Sequence, residues 1–338
     1  MLLLIDGRPL VGNRTGIGVH TAEIARRLEA DVLIASHAAI EDREGLEGCA
    51  FRVDESPLGV LWQQATLPKT EADVLWGPHG TLPLTWRKPS VVTLHDFTSI
   101  TMPWRHRLKT ILSFNLFIGR SLEQATRVAC VSRAVADEAI RGFGLHSAKL
   151  EIVPNGVDPF FSPPEAPQDD HGFILFTGTL EPRKGIYDLI AAWSMLPQPR
   201  PRLVLAGDRG WKTRIPDEAG IEVTGYVTRE RLRELYRTAR VFVYPSHYEG
   251  FGIPPLEAMA CGAPVIATRT GAIPEFADGA ALLVDPGDPV ALRDALTRLL
   301  GDATLRRELR AQGPERARQW TWERGAAAMN QMIAEAAR

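Results

Sequence analysis

The stretch RVFVYPSHYEGFGIPPLEAMACGAPVIAT (240–268) decides the fold. It opens on a strand pattern, RVFVYPS (240–246), turns at Gly250 and Gly252, continues as a helix over 255–261, and closes on a second strand, APVIAT (263–268). Near-continuous apolar runs of this kind belong to strands covered on both faces, and a helical crossover between two of them makes them parallel. The same alternation extends outward in both directions. Strand patterns occur at LLLID (2–6), DVLIAS (31–36), DVLWG (73–77), SVVTLH (90–95) and RVACVS (127–132). After these come GFILFTG (172–178), RLVLAGD (202–208), IEVTGYV (221–227) and ALLVDP (281–286). Helical patterns separate them at 17–30, 104–121, 134–142, 185–196, 229–238 and 289–301.

Eleven strands are too many for one sheet in 338 residues, and at roughly 100–200 residues per domain the length suits two. The fold class is therefore α/β, with two Rossmann-like doubly wound domains expected to face each other across a cleft. The Pro-, Asp- and Gly-dense stretch PNGVDPFFSPPEAPQDDH (154–171) marks the boundary. The expected division is an N-terminal domain over 1–165, a C-terminal domain over 166–318, and a last helix over 319–338. That helix has no strand after it and is expected to cross back to the first domain.

Hydrophobic residues at 45% and charged residues at 24% are ordinary globular usage, which excludes disordered, collagenous and coiled-coil chains. The net charge is −2, and residues 1–165 hold 17 basic and 19 acidic side chains against 22 of each in the rest. Neither half is a basic module, so nucleic acid is not an expected partner. Cys49, Cys130 and Cys261 form no Cys-x-x-Cys pair, which speaks against a disulfide scaffold or a zinc site and for a reducing cytoplasm. The opening MLLLI is too short for a signal peptide, and no apolar run approaches the ~18 residues of a membrane span.

Four places carry candidate chemistry. In EGFGIPPLEAMACGAPVI (249–266), Gly250 and Gly252 allow a sharp turn and close backbone approach, and Pro254 and Pro255 suit a first helical turn. A helix N-terminus opening on such a turn suits phosphate, through the amides of Gly252, Ile253, Leu256 and Glu257. The Glu257 carboxylate is a good acceptor for a vicinal diol, and Glu249 addresses another part of the same ligand. In TGTLEPRKG (177–185), Arg183 and Lys184 stand beyond the carboxyl end of a strand, where open α/β sheets bind ligands. Alone they read as a solvated loop. Opposite a helix N-terminus they become one side of a diphosphate clamp. In GNRTGIGVHTAEI (12–24), Gly12, Gly16 and Gly18 resemble a dinucleotide fingerprint, but Thr21 replaces its third glycine, so backbone amides reaching a ligand are expected rather than nicotinamide binding. In TLHDF (93–97), His95 and Asp96 cap a strand at its ligand-facing end, where the imidazole can meet a sugar hydroxyl. His20 and His79 fall in first-domain loops without a second partner, and His37, His106, His146 and His171 read as surface.

No Asp-x-Asp occurs, so the usual carboxylate pair for a metal on a sugar nucleotide is missing, and no metal or cofactor is expected. Walker, Gly-x-Ser-x-Gly and His-Glu-x-x-His motifs are also missing.

Taken together with VSRAVADEAI (131–140) and IVPNGVD (152–158), these motifs resemble the retaining family 4 glycosyltransferases of GT-B architecture, along nearly the whole chain. The GTLEPRK wording is similar to bacterial polysaccharide mannosyltransferases that use GDP-mannose. The resemblance implies a nucleotide-diphosphate sugar as co-substrate, bound by the C-terminal domain (166–318), and a glycan or lipid-linked saccharide as acceptor, bound by the N-terminal domain (1–165). It implies that Glu257 binds the ribose and Glu249 the transferred sugar, that Arg183 and Lys184 hold the diphosphate, and that the amides of Phe251, Gly252 and Ile253 line the sugar pocket. It places His95 beside the reacting carbon. Some relatives carry an Arg where this chain has Thr179, which shifts more charge onto Arg183.

The stretch MPWRHRLKTILSFNLFIGRS (102–121) holds Arg105, Arg107, Lys109 and Arg120 and no acid, among large apolar side chains. It reads either as a core helix with one basic face or as a peripheral contact with the inner face of the membrane. Three rival functions share parts of the pattern. A sugar-nucleotide epimerase would need no acceptor, a dehydrogenase meets a broken fingerprint, and a non-catalytic binding protein would tolerate degraded motifs, which are not seen. Rhamnosyl and glucosyl donors stay open.

Overall fold

The computed structural model describes residues 1–12, 14–101, 108–165, 172–210 and 213–338, with the backbone alone at 99 and 108–115. The chain forms two compact units, Met1–Gly156 with Trp322–Arg338, and Val157–Thr321. The boundary expected at 165/166 adjoins residues 166–171, which lie outside the described residues.

The first unit contains β1 (Leu2–Asp6), α1 (Gly16–Ala25), β2 (Asp31–Ser36), β3 (Ala50–Val53), α2 (Gly59–Ala65), β4 (Val74–Gly77) and β5 (Ser90–Leu94). It continues with α3 (Thr98–Thr101), α4 (Leu108–Gln124), β6 (Arg127–Cys130), α5 (Arg133–Phe143) and β7 (Leu150–Ile152). The second unit contains β8 (Ile174–Thr177), α6 (Ile186–Ser194), β9 (Leu203–Ala206), β10 (Ile221–Gly225), α7 (Arg229–Thr238), β11 (Val241–Tyr244) and α8 (Ile253–Ala260). After these come β12 (Val265–Thr268), α9 (Ile273–Ala277), β13 (Leu282–Val284), α10 (Pro289–Gly301) and α11 (Ala303–Ala317). The chain then returns to the first unit as α12 (Trp322–Ala336).

Both sheets are parallel, in the orders β3-β2-β1-β4-β5-β6-β7 and β10-β9-β8-β11-β12-β13. The strand order reverses between β1 and β4 in one sheet and between β8 and β11 in the other. Ligands of open α/β sheets bind outside the carboxyl ends of the strands at such reversals. Leu3, Leu4 and Ile5 of β1, and Val241, Phe242 and Val243 of β11, are fully buried, so helices cover both faces of each sheet. Each such side chain contributes roughly 1.5–3 kcal/mol by leaving water.

All eleven anticipated strands are present. β3 and β7 are additional, and both are edge strands with partly exposed residues, so neither shows an apolar run. Helix α1 ends at Ala25, earlier than its pattern suggested, because Arg27 N–H already reaches back only three residues to Ile24 O. Among the described residues, no helix is long and apolar enough to cross a membrane.

Candidate active site

In the second unit, the loops that follow the neighbouring strands β8 and β11 converge at the reversal point. Lys184 Nζ lies 2.6 Å from Glu249 Oε1 and donates to the Tyr244 hydroxyl at 2.7 Å. Tyr244 in turn donates to Glu249 Oε1 at 3.1 Å, and Ser246 Oγ donates to it at 2.6 Å. Arg183 Nη1 stands 3.6 Å from the same oxygen and donates to Tyr248 O at 3.1 Å. One carboxylate oxygen of Glu249 is thus surrounded by donors, while Oε2 accepts no hydrogen bond among the described residues and can accept from a ligand hydroxyl. Burial opposes ionisation of Glu249, but Lys184 and then Arg183 outweigh it and hold its pKa below the usual carboxylate value. Burial also lowers the Lys184 pKa, against the pull of Glu249.

The two loops are locked to each other. His247 N–H donates to Arg183 O at 2.9 Å, and the His247 ring meets Asp188 of α6 at 2.5 Å. Gly185, at φ +69, lies so close to the Pro245 carbonyl that no side chain fits between them. Gly271, at φ +53, supports the Glu249–Gly250 backbone from behind in the same way, and Ala272 N–H donates to Gly250 O at 3.2 Å.

Helix α8 starts at Ile253, with Gly252 as its N-cap at φ 92. This corrects the expected start at 255. As the fifth helical residue, Glu257 has its amide inside the hydrogen-bond ladder, so only the earlier amides can serve a ligand. Phe251 turns its ring into the core against Phe276 and Trp320, with centroids 5.6 and 5.7 Å away, and leaves its backbone for any ligand. The Glu257 carboxylate receives the Tyr236 hydroxyl at 3.1 Å on Oε2, and Tyr236 is itself held by Thr177 Oγ1 at 2.9 Å. With so few donors to offset burial, the Glu257 pKa rises to about 7. Thr179 is exposed.

In the first unit, the histidines at the carboxyl ends of the strands stand together, correcting the reading of His20 and His79 as isolated loop residues. His20 lies on α1, fully buried, with its ring 4.8 Å from that of His95 and nearly perpendicular to it. Its Nδ1 donates to Asn155 Oδ1 at 2.7 Å, which gives the Asn of IVPNGVD a structural role. His95 Nε2 is 2.9 Å from Pro78 O. A carbonyl only accepts, so Nε2 carries the proton and Nδ1 offers a lone pair. Burial lowers the pKa of His95 to about 4, of His79 to about 4 and of His20 to about 3, so the three rings are neutral near pH 7. His95 Nδ1 is therefore equipped to accept a hydrogen bond from a hydroxyl rather than to present a positive charge.

Gly16, the first residue of α1, is exposed, whereas Gly18 is buried against Pro9 O, where a Cβ would come within 2.6 Å. Packing therefore accounts for Gly18, and the amides of Gly16, Ile17 and Gly18 precede the first intrahelical bond, Val19 N to Thr15 O. His37 is not a surface residue: it is half-buried, and its ring stands 6.2 Å from that of Trp62. His106 and His171 lie outside the described residues.

Tyr244, Ser246, Tyr236, Gly185 and Gly271 were not anticipated as parts of the site. The alternation of Tyr244 and Ser246 at the end of a buried strand, with Lys184 after its neighbour, was the available signal.

Residues 14–160 match the family described as Glycosyltransferase Family 4, and residues 158–319 match Glycosyl transferases group 1. The O-antigen chain mannosyltransferase B of Escherichia coli is 30% identical, over 96% of this chain and 97% of its own. Among solved structures, sucrose-phosphate synthase from Thermosynechococcus elongatus aligns with a TM-score of 0.77 at 22% identity, over 99% of this chain and 98% of its own. Anabaena Alr3699/HepE in complex with UDP-glucose aligns with a TM-score of 0.76 at 21% identity, over 99% and 98%. The two doubly wound units are thus those of the GT-B glycosyltransferase fold, as the motifs implied. The chain belongs to the family 4 glycosyltransferases.

Proposed function

We propose that this glycosyltransferase moves a mannosyl unit from GDP-mannose to a hydroxyl of a glycan or lipid-linked saccharide, with retention of configuration and without a metal. The observation that carries this reading is the convergence of Arg183, Lys184 and Glu249 where β8 and β11 end side by side. The bond from the anomeric carbon to the diphosphate breaks, and a bond to the acceptor oxygen forms on the same face. The acceptor proton passes to the departing diphosphate. Arg183, Lys184 and the N-terminus of α8 act on the charge that grows on that leaving group. Glu257 accepts from the ribose diol, and Glu249 Oε2 from the transferred sugar. In the first unit, His95 Nδ1 accepts from a sugar hydroxyl, and the amides of Gly16 and Gly18 donate to the nucleotide sugar. The full-length likeness to a mannosyltransferase favours mannose, while the UDP-glucose complex of HepE makes UDP-glucose the donor to test against it.

The cytoplasmic face of the membrane fits a lipid-linked acceptor, with 102–121 as the contact. Residues 102–107, which include Arg105 and Arg107, and the side chains of 108–115 lie outside the described residues, and beyond them Leu116 is 69% exposed.

Incubation with GDP-mannose or UDP-glucose and a mannose-terminated acceptor, with and without EDTA, is expected to give an α-mannoside from the first donor only, unaffected by the chelator. Transfer from UDP-glucose alone would replace the donor, and a β-linked product would refute retention. An altered nucleotide sugar formed without acceptor would indicate an epimerase.

A second expectation follows from Glu257. A folded-state pKa near 7, above the ordinary value of 4.5, gives a stability contribution present below 4.5 and lost as pH rises through about 7. A ribose diol that needs the ionised carboxylate binds better over that same rise. The dissociation constant of GDP-mannose should therefore tighten by about tenfold between pH 6 and 8. Glu257→Gln should bind more weakly, with a flat profile in calorimetry. A flat wild-type profile would remove Glu257 from the ribose.

A further inference from the structure

We propose that Tyr244 is a positioning residue of the transfer reaction, whose hydroxyl keeps Lys184 and Glu249 charged together and fixes which ammonium hydrogen meets the leaving diphosphate; this rests on the transferase reading. The hydroxyl is shared by groups of opposite charge. It accepts from Lys184 Nζ at 2.7 Å and donates its one proton to Glu249 Oε1 at 3.1 Å, while the ammonium and the carboxylate are 2.6 Å apart. The three groups close a triangle of hydrogen bonds.

Packing fixes the tyrosine corner of that triangle. Tyr244 is the last residue of β11 and is buried, with its ring stacked against Phe242 of its own strand and Phe176 of neighbouring β8, at centroid distances of 6.2 and 6.1 Å. Burial, and then Glu249, push its pKa well above the ordinary value of 10, so the hydroxyl shares its proton without losing it. An ammonium carries three hydrogens. Tyr244 and Glu249 take two of them, and Lys184 makes no further hydrogen bond among the described residues. Tetrahedral geometry then sets the direction of the third, the one left for a diphosphate oxygen. With Glu249 as its one acceptor, the ammonium would turn freely about that bond and the direction would be lost.

The hydroxyl also acts on protonation, in opposite senses at its two neighbours. The bond it donates favours ionised Glu249, and the bond it accepts favours protonated Lys184. Burial works against both charges, and at Lys184 it prevails over the pull of Glu249. Removal of the hydroxyl should therefore raise the titration midpoint of Glu249 and lower that of Lys184, so that the two converge. The other charged groups facing the pair are Arg183, 3.6 Å from Glu249 Oε1, Glu181, 3.7 Å from Arg183, and Glu257 of α8, while His247 and Asp188 meet each other. Tyr244→Phe alters none of these. A lesion of packing alone would lower stability without drawing the midpoints together.

The test compares the wild type with Tyr244→Phe, which keeps the ring between its neighbours. Heteronuclear NMR on the whole protein follows the Glu249 carboxyl and the Lys184 ammonium, each signal assigned by its loss in Glu249→Gln or Lys184→Met. The midpoints are expected to move toward each other by about one pH unit apiece, the shift that one hydrogen bond to a charged group produces. With saturating donor, GDP-mannose or UDP-glucose as the transfer assay selects, kcat should fall about tenfold and KM stay within about threefold, as for a contact made in the transition state. The melting temperature should stay within about 4 °C. If Tyr244→Phe fails to fold, 3-fluorotyrosine placed at position 244 makes the hydroxyl a better donor and a poorer acceptor, and both midpoints should fall together. Unmoved midpoints, or converged midpoints with kcat unchanged, overturn the proposal. Converged midpoints with no transfer from either nucleotide sugar in the wild type refute the transferase reading instead.

Discussion

Lys184→Met should lower turnover by about 10²–10³-fold, the scale on which removing one preorganised charge-stabilising donor acts. The lysine is mostly buried, 14% exposed, and its ammonium touches both Tyr244 and Glu249, so it is held in place before any ligand arrives. Its removal also strands Glu249, 10% exposed, beside Arg183 alone. Breaking such a pair costs about 3–5 kcal/mol, and the residual exposure puts the expectation at the lower end. Loss of activity must therefore be separated from loss of fold. Lys184→Met with Glu249→Gln removes both charges and should recover most of the melting temperature but none of the turnover. Lys184→Arg keeps the charge but not the geometry at Tyr244, and should be well folded yet at least about tenfold slower. Steady-state transfer assays with matched melting curves decide the matter. Turnover within a few-fold of wild type in a folded Lys184→Met protein would exclude the lysine from the leaving-group site.

Gly185→Ala is expected to be the most damaging small substitution in the second unit. The added methyl would overlap the Pro245 carbonyl, and the backbone is already at φ +69, which disfavours any residue with a Cβ. Neither neighbour can rotate away, because the obstacle is main chain. The loops carrying Lys184 and Glu249 must then separate, with a cost above about 4 kcal/mol. For a unit of this size that corresponds to a drop of about 10 °C or more in melting temperature. Gly178→Ala is the internal control. Its φ is +122, but open space surrounds it, so only backbone strain of about 1–3 kcal/mol should appear. Equal melting temperatures for the two alanine variants would refute the interlock.

The fold was legible because every central strand is an apolar run bounded by turn residues, as in LLLID and GFILFTG. The two edge strands of the first sheet escaped, since AFRV and LEI mix exposed and half-buried positions and carry no period. At the site, Arg183, Lys184, Glu249 and Glu257 stood out through their positions around two loops. The groups that hold them did not. Tyr244 and Ser246 look like ordinary strand-end residues until the fold places Lys184 beside them, and Gly271 looks like any turn glycine until the Glu249 carbonyl is found against it. The histidine cluster was hidden for a related reason. His20, His79 and His95 come from a helix and two strand ends, and only the parallel sheet brings those ends to one side. Solvation also reverses what residue type suggests: Glu257 is raised to about 7 by burial, and the histidines are neutral for the same cause.

Helix α12 buries Trp322, Met329, Met332 and Ile333 in the first unit, packing on α1 and alongside β5, yet it follows the whole of the second unit in the chain. On the ribosome, synthesis runs from the N-terminus at about 5–20 residues per second and domains fold as they emerge. The first-made unit therefore waits, with the seat of α12 open, while the second is translated and folds. The later unit completes first, and the earlier one closes only when α12 arrives. A nascent chain halted before Trp322 would accordingly expose an apolar surface on its older half, the half a chaperone would have to guard.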